Sequence, residues 1–350
     1  VSQATKRLDS VVPSSNVDHR TMVAAFVHML SEVELLEQPL APLSLHQAFV
    51  GDSENVLMAP RDNTKAVGKT LGFKGVTKKN CFVQRPDGVH EPHPIFMKDM
   101  TEFLERIEGD GPLPLCMAGA TDKDEVRTMT DVLKGKGRYF YVCDLVLNIA
   151  MRMYLLPLLA NMLAHPYQSS ITGTMNPSGK GWDELTRHLT EFGEDRMLDG
   201  DEKTFDLKHW IMQQYYASYM QLYALRLGYS ERDAHIVLRL CLCSTRYVLL
   251  IQGVFVHCSS GLCSGLADTL HRNSVILKAL IYYSFLRKHP KEVPKDFLRL
   301  SLTGDDSLVN VSRKIQFSGV DIWEGNRECG YEYTAGNKST YFEFKDIREV

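Results

Sequence analysis

Residues 301–309 read SLTGDDSLV. Apolar residues alternate on both sides of Gly304, a pattern that predicts two strands joined by a tight turn, where glycine adopts a positive φ at little cost. The turn carries two adjacent carboxylates, Asp305 and Asp306, whose like charges repel each other. A divalent cation is the usual way to offset such repulsion. The segment therefore predicts a metal-binding hairpin, and further ligands are expected upstream.

The composition indicates a globular protein with room for about two or three subdomains. Of the 350 residues, 44% are apolar and 24% are charged, so the chain can bury a substantial core. The net charge of -3 argues against a uniformly basic coat for nucleic acid. It leaves open a local basic groove, because the field at a cleft is what attracts a polyanion.

The eight cysteines are scattered and form no paired CxxC modules, which suits reduced thiols in a cytosolic setting. A zinc site is an alternative, but the C-x-C and C-x4-C spacings match zinc-knuckle geometry poorly. Its ligands would be Cys241, Cys243, Cys258 and Cys263.

An apolar run extends from Leu145 to Ala164. Arg152 and Pro157 interrupt it, so we expect a buried helix rather than a membrane span. The last residues, 341–350, alternate like a strand. They suggest a segment of a longer protein.

A basic ribbon with two glycines precedes a predicted strand at 139–142. Such a ribbon can wrap a triphosphate, with Arg138 as a bidentate fork and Lys136 as a point charge, although a solvated charged hairpin fits equally well. Its cations include Lys123, Arg127, Lys136 and Arg138.

A short strand is predicted to deliver Asp201 at its end, ahead of a helical run at 207–227. Asp206 would begin that run, where it could equally be an N-cap. The pattern at 233–252 is also helical. A small-residue loop at 258–265 then leads into a long helix at 266–287.

Thr269 and Asn273 lie four residues apart, so they share one face of that helix and point toward Ser264 and Gly265. Two small hydrogen-bonding side chains that point toward a glycine-containing loop suit the recognition of a sugar. The alternative is that they simply form the solvent-exposed face of the helix. Lys338 lies in a turn near the end of the chain.

The order of these features resembles the motif series of viral RNA-dependent RNA polymerases, most closely the picorna-like group. The similar segments are 123–138 with 150–152, 201–206, 264–274, 303–306 and the turn at Lys338. Two departures stand out: Thr303 replaces the aromatic residue often found before Gly-Asp-Asp, and Glu202 and Lys203 follow Asp201.

The resemblance implies an α+β right-hand fold, with an antiparallel palm sheet backed by helices, mostly helical fingers, and no thumb. By analogy, residues 1–154 are fingers with a triphosphate loop at 123–138, residues 155–233 are palm, residues 234–262 return to the fingers, and residues 263–350 are palm. The family's primer-grip motif and thumb would lie after Val350.

The resemblance also implies a mechanism with two Mg²⁺ ions, for which Mn²⁺ can substitute. Asp201 and Asp305 would hold the metals, Asp306 would support them, and Lys338 would act as general acid. Binding roles would fall to two groups of residues. Lys123, Arg127, Lys136 and Arg138 would bind the triphosphate or line its channel, and Asp206, Ser264, Gly265, Thr269 and Asn273 would sense the ribose 2′-hydroxyl.

The implied function is template-directed RNA synthesis for viral genome replication. The partners would be template and product RNA, nucleoside triphosphates and other viral replication proteins of a polyprotein, in membrane-associated complexes of the host cytoplasm. A reverse transcriptase would be expected to carry a bulky steric gate where Asp206 lies and to lack the Thr269 and Asn273 pair. A catalytically inactive RNA-binding fragment is the alternative from another class.

Overall fold

The computed structural model describes residues 16–50, 81–84, 90–122, 126, 128–130, 139–176, 178–209, 211–251 and 253–350. The chain forms two compact units. The first comprises Leu36–Ala160 and His209–Thr269, and the second comprises Asn161–Lys208 and Leu270–Val350 together with the helix His19–Ser31. The predicted limits of fingers and palm at 154, 233 and 262 stay predictions.

Strands and helices are interspersed along the described chain. The strands are β1 (Phe82–Gln84), β2 (His90–Pro92), β3 (Cys116–Asp122), β4 (Tyr139–Cys143), β5 (Met197–Glu202), β6 (Tyr247–Ile251), β7 (Val254–Cys258), β8 (Leu298–Thr303), β9 (Asp306–Val311) and β10 (Tyr333–Ala335). The helices are α1 (His19–Ser31), α2 (Leu45–Val50), α3 (Pro94–Glu108), α4 (Leu145–Ala164), α5 (Pro166–Ser169), α6 (Lys180–Leu189), α7 (Met212–Arg226), α8 (Glu231–Cys243), α9 (Thr269–Lys288) and α10 (Gly319–Glu328).

The first unit contains a four-stranded sheet in the order β4-β3-β6-β7, in which only the β3–β6 pair is parallel. The helix predicted over 233–252 is therefore wrong in its second half, because α8 ends at Cys243 and a hairpin of β6 and β7 follows. The run Tyr247–Ile251 is a short apolar stretch with alternating burial. Periodicity alone does not separate such a strand from a buried helix.

Helix α4 matches the predicted buried helix residue for residue. It is the one described helix long and apolar enough to cross a membrane, yet 83% of its most apolar window is buried inside the protein. Such burial is typical of a core helix. The charged side chain of Arg152 is accommodated there by a hydrogen bond, because its Nε hydrogen is donated to the Ala48 carbonyl at 2.7 Å within the same unit.

The second unit is organised by an antiparallel sheet in the order β10-β5-β9-β8. Helix α6 buries Leu185 and Leu189 against Met197 of β5. Helix α10 begins with a capping box, in which Ser318 and Asp321 bond each other's backbone. The strand predicted over 341–350 is wrong: Lys345 makes an isolated bridge with Met197, and Ile347–Glu349 is a 3₁₀ turn.

Helix α9 carries a buried ion pair that joins it to the end of α1. Lys278 Nζ lies 2.7 Å from Glu32 Oε2 and donates to the Gln168 carbonyl at 2.5 Å. Tyr282 donates its hydroxyl hydrogen to the other Glu32 oxygen at 2.7 Å. The two charged side chains are only 2% and 8% exposed, so each charge depends on the other.

The expectation of reduced thiols stays a prediction, although the structure brings the sulfurs of Cys143 and Cys263 into direct contact. The other six cysteines are buried. Among the described residues, no group of three or more His, Cys, Asp or Glu side chains is arranged to hold a metal ion. The four-cysteine zinc alternative is therefore not supported by the described residues.

Replacing Lys278 with methionine should lower the free energy of unfolding by about 3–5 kcal/mol, because Glu32 would keep a buried charge without its partner. Urea unfolding monitored by circular dichroism measures this loss. Adding Glu32→Gln should recover part of it, since the amide keeps an acceptor for Tyr282. The control is Lys98→Met, in an exposed pair with Glu102, which should change stability by less than about 1 kcal/mol. An equal effect of the two single variants would contradict the account.

Candidate active site

Strand β5 brings Asp201 to the site. Its burial alternates along Met197–Glu202, and Asp199 and Asp201 share one face because successive side chains of a strand point to opposite faces. The predicted strand ending near Asp201 is therefore confirmed. On both sides β5 is paired, with β9 and with β10, which fixes its register.

The hairpin of β8 and β9 carries the two adjacent aspartates. Gly304 has φ of +69°, as the predicted turn requires, and its N–H donates to the Ser274 hydroxyl of α9 at 3.0 Å. Ser274 is fully buried, so this bond holds the turn against the helix. Close packing continues at Thr303, whose side chain lies against Gly173 with no room for a Cβ there. Sequence reasoning missed the role of Ser274.

The register of β5 and β9 places Asp201 directly opposite Asp306. The next residue, Glu202, donates its N–H to the Asp305 carbonyl at 3.3 Å. Partial burial raises the pKa of Asp306 above its ordinary value of 3.8, and the charges of Asp305 and Asp201 raise it further. The structure thus gathers the three predicted aspartates at one end of the sheet, with mutual repulsion that a cation would relieve.

Lys338 supplies one positive charge at this point. It has φ of +64° in a turn closed by its own N–H to the Ala335 carbonyl at 2.7 Å, and its ammonium forms an ion pair with Asp201 Oδ2. The lysine side chain is 64% exposed whereas that of Asp201 is 16% exposed. An exposed ammonium that contacts a half-buried carboxylate is free to move toward a ligand, because little packing holds it.

Two further carboxylates of β5 were not predicted as site residues. Asp199 forms an ion pair with Lys345 at 2.8 Å, and both side chains are 18% exposed. Glu202 is fully buried on the other face, and burial raises its pKa well above the usual range, although the charge of Lys208 opposes this. The residue types alone gave no signal for these roles, because pairing and burial are set by distant segments.

The aspartates are of the ligand type that Mg²⁺ prefers, although in the described structure their side chains do not converge as a three-carboxylate metal site. Mg²⁺ prefers carboxylate oxygens, keeps several waters, and is commonly held by one or two carboxylates together with substrate phosphates. Asp201 and Asp306 face each other, and burial, together with the charges of Asp305 and Asp201, raises the pKa of Asp306. Asp201, Asp305 and Asp306 are therefore the residues that would hold such an ion.

A cavity of about 870 Å³ lies beside Asp306 within the second unit. Asp199, Asp306 and Thr303 line one side, and Trp182 and Leu185 of α6 line another. Its mixed lining suits a ligand that has both polar and apolar faces.

The loop before α9 is held from several elements of the first unit. The Ser264 hydroxyl accepts the Tyr141 N–H at 2.9 Å, and Asn148 donates to the Gly265 carbonyl at 2.5 Å. A Cβ at Gly265 would lie 2.6 Å from the Tyr141 oxygen, so this close approach requires glycine. Thr269 donates its hydroxyl to the Cys263 carbonyl at 3.2 Å. The structure thus brings Ser264, Gly265 and Thr269 together.

The other predicted ribose-sensing residues belong to the second unit. Asn273 lies one turn after Thr269 on α9 and is half-buried. Asp206 lies inside a 3₁₀ turn, Phe205–Leu207, whose N-cap is Thr204, so the N-cap alternative for Asp206 is wrong. Helix α7 begins only at Met212, later than the predicted start at 207. The predicted cations Lys123, Arg127, Lys136 and Arg138 lie outside the described residues.

The geometry of the aspartate site by itself indicates a class of protein. An antiparallel sheet whose neighbouring strands present three aspartates beside a lysine is suited to nucleotidyl transfer with two metal ions, the mechanism of nucleic-acid polymerases. Residues 111–350 match the family described as "Viral RNA-dependent RNA polymerase", and the chain belongs to that family.

Similar proteins agree with this assignment. The chain is 26% identical over 227 residues to the genome polyprotein of human hepatitis A virus genotype IIIB (isolate HAJ85-1), which covers 62% of the chain and 10% of the polyprotein. It is 29% identical over 239 residues to the genome polyprotein of human hepatitis A virus genotype IIA (isolate CF-53). This match covers 65% of the chain and again 10% of the polyprotein. The chain therefore spans about a tenth of these curated relatives.

Among solved structures, the chain is similar to "Sicinivirus 3Dpol RNA dependent RNA polymerase". The TM-score is 0.80 at 17% identity, and the match covers 96% of this chain and 67% of that one. The predicted α+β right-hand polymerase fold is confirmed by this likeness.

Replacing Asp306 with asparagine should raise the free energy of unfolding near pH 8 in EDTA. The folded-state pKa of Asp306 lies above the unfolded value, so the wild-type chain bears the full cost of burying this charge near Asp305 and Asp201 above the folded pKa and none of it below about 3.8. The gain from Asp306→Asn should accordingly shrink as the pH is lowered from 8 toward about 3.8. Urea unfolding at several pH values measures it.

The control for that experiment is Asp195→Asn. A hydrogen bond from Arg313 lowers the pKa of Asp195, so this substitution should not stabilise the chain. A gain for Asp195→Asn as large as that for Asp306→Asn would show that the effect is general charge removal.

Proposed function

We propose that this chain synthesises RNA on an RNA template, adding nucleotides to an RNA 3′-hydroxyl by a mechanism that uses two divalent cations. One observation carries the proposal: β5 and β9 hold Asp201 opposite Asp306, with Asp305 beside them and Lys338 in contact. Family membership supports RNA synthesis over reverse transcription.

Asp201 and Asp305 would bind the cations, and Asp306 would add negative charge to the same site. When bound, Mg²⁺ ions would lower the pKa of the attacking 3′-hydroxyl and neutralise the triphosphate. Lys338 holds a proton on Nζ next to Asp201, and we assign it the protonation of the pyrophosphate leaving group. The pairing of β5 with β9 orients Asp201 and Asp306 before substrate arrives, which is the condition for electrostatic stabilisation of the transition state.

Selection of ribonucleotides is assigned to Asp206, Ser264, Gly265, Thr269 and Asn273. The Thr269 hydroxyl already donates to the loop carbonyls, so its oxygen is available as an acceptor. A site built to bond a hydroxyl disfavours the analogue that lacks it, since polar groups are then left unpaired. Lys123, Arg127, Lys136 and Arg138 are assigned to the triphosphate and its entry channel by family resemblance.

The partners proposed for this activity are template and product RNA, nucleoside triphosphates and other viral replication proteins. The matches to viral genome polyproteins support an origin in such a polyprotein. We also propose that the chain works in membrane-associated replication complexes of the host cytoplasm.

The Asp305→Ala variant should lose at least about a thousandfold of the wild-type rate of primer extension. Loss of a metal ligand removes several kcal/mol of transition-state stabilisation, and each 1.36 kcal/mol corresponds to a factor of about ten. The assay measures UTP incorporation on a poly(A) template with an oligo(U) primer in Mg²⁺ and in Mn²⁺, with the longest available form of the polymerase that contains this chain.

The Asp195→Asn variant serves as a matched control, because this exposed carboxylate pairs with Arg313 away from the hairpin and should leave the rate within about twofold. Absence of incorporation by the wild-type protein would support the inactive RNA-binding alternative. Equal rates for wild type and Asp305→Ala would refute the assigned role.

The Asn273→Ala variant should reduce the preference for ATP over dATP by roughly tenfold on a poly(U) template, as expected for one lost hydrogen bond to the ribose. The measurement compares kcat/KM for the two nucleotides. Ser284→Ala is the control on the same helix, because Ser284 donates to the Leu280 carbonyl within α9. Unchanged selectivity in Asn273→Ala would contradict the assignment.

A further inference from the structure

Gly200 immediately precedes Asp201, and the Tyr333 side chain occupies the space where a Gly200 side chain would lie. A Cβ built at Gly200 would lie 1.9 Å from the Tyr333 hydroxyl oxygen and 2.1 Å from its Cζ. Tyr333 itself is fully buried. Glycine inside a strand leaves the backbone without side-chain packing, so the tyrosine supplies what the glycine lacks.

The Tyr333 hydroxyl also joins the two strands that carry the aspartates. It lies 3.0 Å from the Ser307 hydroxyl, which in turn donates to the Gly200 carbonyl at 3.3 Å. Ser307 immediately follows Asp306, and the register pairs Gly200 with Ser307. This hydroxyl chain therefore crosses from β10 to β9 and β5 one residue away from both carboxylates.

The tie lies on the sheet face opposite to the aspartates, because neighbours along a strand alternate in direction. On the aspartate face, Thr334 donates its hydroxyl to the Asp201 carbonyl at 3.2 Å. Strand β10 thus contacts β5 on both faces of the sheet through the consecutive residues Tyr333 and Thr334.

The Tyr333 ring has its own support. It stacks on Phe342 with 5.7 Å between ring centroids and 14° between planes. Phe342 in turn packs on Gly319 at the start of α10, where a Cβ would lie only 2.6 Å away. Because packing holds the ring, the position of the Tyr333 hydroxyl is fixed. A hydrogen bond can orient a backbone only if its own donor or acceptor is held in place.

We propose that Tyr333, acting through Ser307 and Gly200, is a positioning residue that sets the separation of Asp201 and Asp306 for cation binding. The inference rests on the proposed function, in which Asp201 binds a cation and Asp306 adds negative charge to the same site. A tyrosine that only filled the core would change stability and leave cation affinity unchanged, so the two roles give different results.

The test is Mn²⁺ binding, followed by the free-Mn²⁺ signal in electron paramagnetic resonance, for wild type and Tyr333→Phe. We expect the Phe variant to bind about fivefold more weakly, which corresponds to about 1 kcal/mol at 1.4 kcal/mol per factor of ten and to the usual net contribution of one hydrogen bond. Primer extension should show a matching rise in the Mn²⁺ concentration needed for half-maximal rate.

Ser307→Ala provides a second variant that keeps the Tyr333 ring and should weaken Mn²⁺ binding to a similar extent. The double variant should be no worse than either single one, because both substitutions break the same tie. The control is Tyr283→Phe. This buried tyrosine of α9 donates its hydroxyl hydrogen to Glu328 and accepts the Asp18 N–H, so its hydroxyl is not part of the chain that joins Ser307 and Gly200. It should alter stability and leave Mn²⁺ affinity unchanged.

The outcomes separate this inference from the proposed function. If wild type binds Mn²⁺ and extends primers while Tyr333→Phe and Ser307→Ala bind Mn²⁺ equally well, the positioning role is overturned and the proposed function stands. If the effects of the two substitutions add, the hydroxyl chain is not one unit and the inference is also overturned. If wild type neither binds Mn²⁺ nor extends primers, both proposals fail.

Discussion

The antiparallel pairing of β5 with β9 is the constraint on which the site depends. It sets Asp201 opposite Asp306, and a slip of one residue would send every side chain of a strand to the other face. The arrangement brings negative charges close together, and partial burial with the charges of Asp305 and Asp201 raises the pKa of Asp306. The repulsion between these carboxylates favours cation binding but destabilises the fold. It must therefore be offset by the sheet pairing on both sides of β5 and by the buried hydrogen bonds around that strand.

Strand β5 carries three carboxylates in four residues, and each meets a different environment. Asp199 is neutralised by Lys345, Asp201 contacts the exposed Lys338, and Glu202 is buried with a raised pKa that favours its protonated form. Only Asp201 combines partial exposure with a partner that can move away. The environment, rather than the residue type, therefore singles out the carboxylate suited to a metal, as is common at functional sites.

Local patterns in the sequence were enough to predict the elements that carry the aspartates. The Gly304 turn, strand β5 and helix α4 follow from glycine position and hydrophobic periodicity, and all three are confirmed. The helix predicted across Tyr247–Ile251 was wrong because a short apolar run fits either structure. The C-terminal strand was wrong because alternation alone does not provide a pairing partner.

The support around the site could not be predicted in the same way. Tyr333 lies 133 residues after Gly200, and Ser274 lies 30 residues before Gly304, so neither contact leaves a local signal. Asp201 and Asp305 were recognisable because family motifs place them in order, whereas their positioning partners follow only from the assembled sheet. Long-range contacts between ordinary residue types are where sequence reasoning ends.

Anomalous diffraction from crystals grown with Mn²⁺ and a nucleoside triphosphate tests the central claim most directly. The account predicts two Mn²⁺ peaks roughly 4 Å apart, with carboxylate oxygens of Asp201 and Asp305 at about 2 Å from them. Ordered crystals that show no Mn²⁺ at these residues, or Asp201 and Asp305 carboxylates more than about 10 Å apart, would contradict the assignment of a two-metal polymerase site.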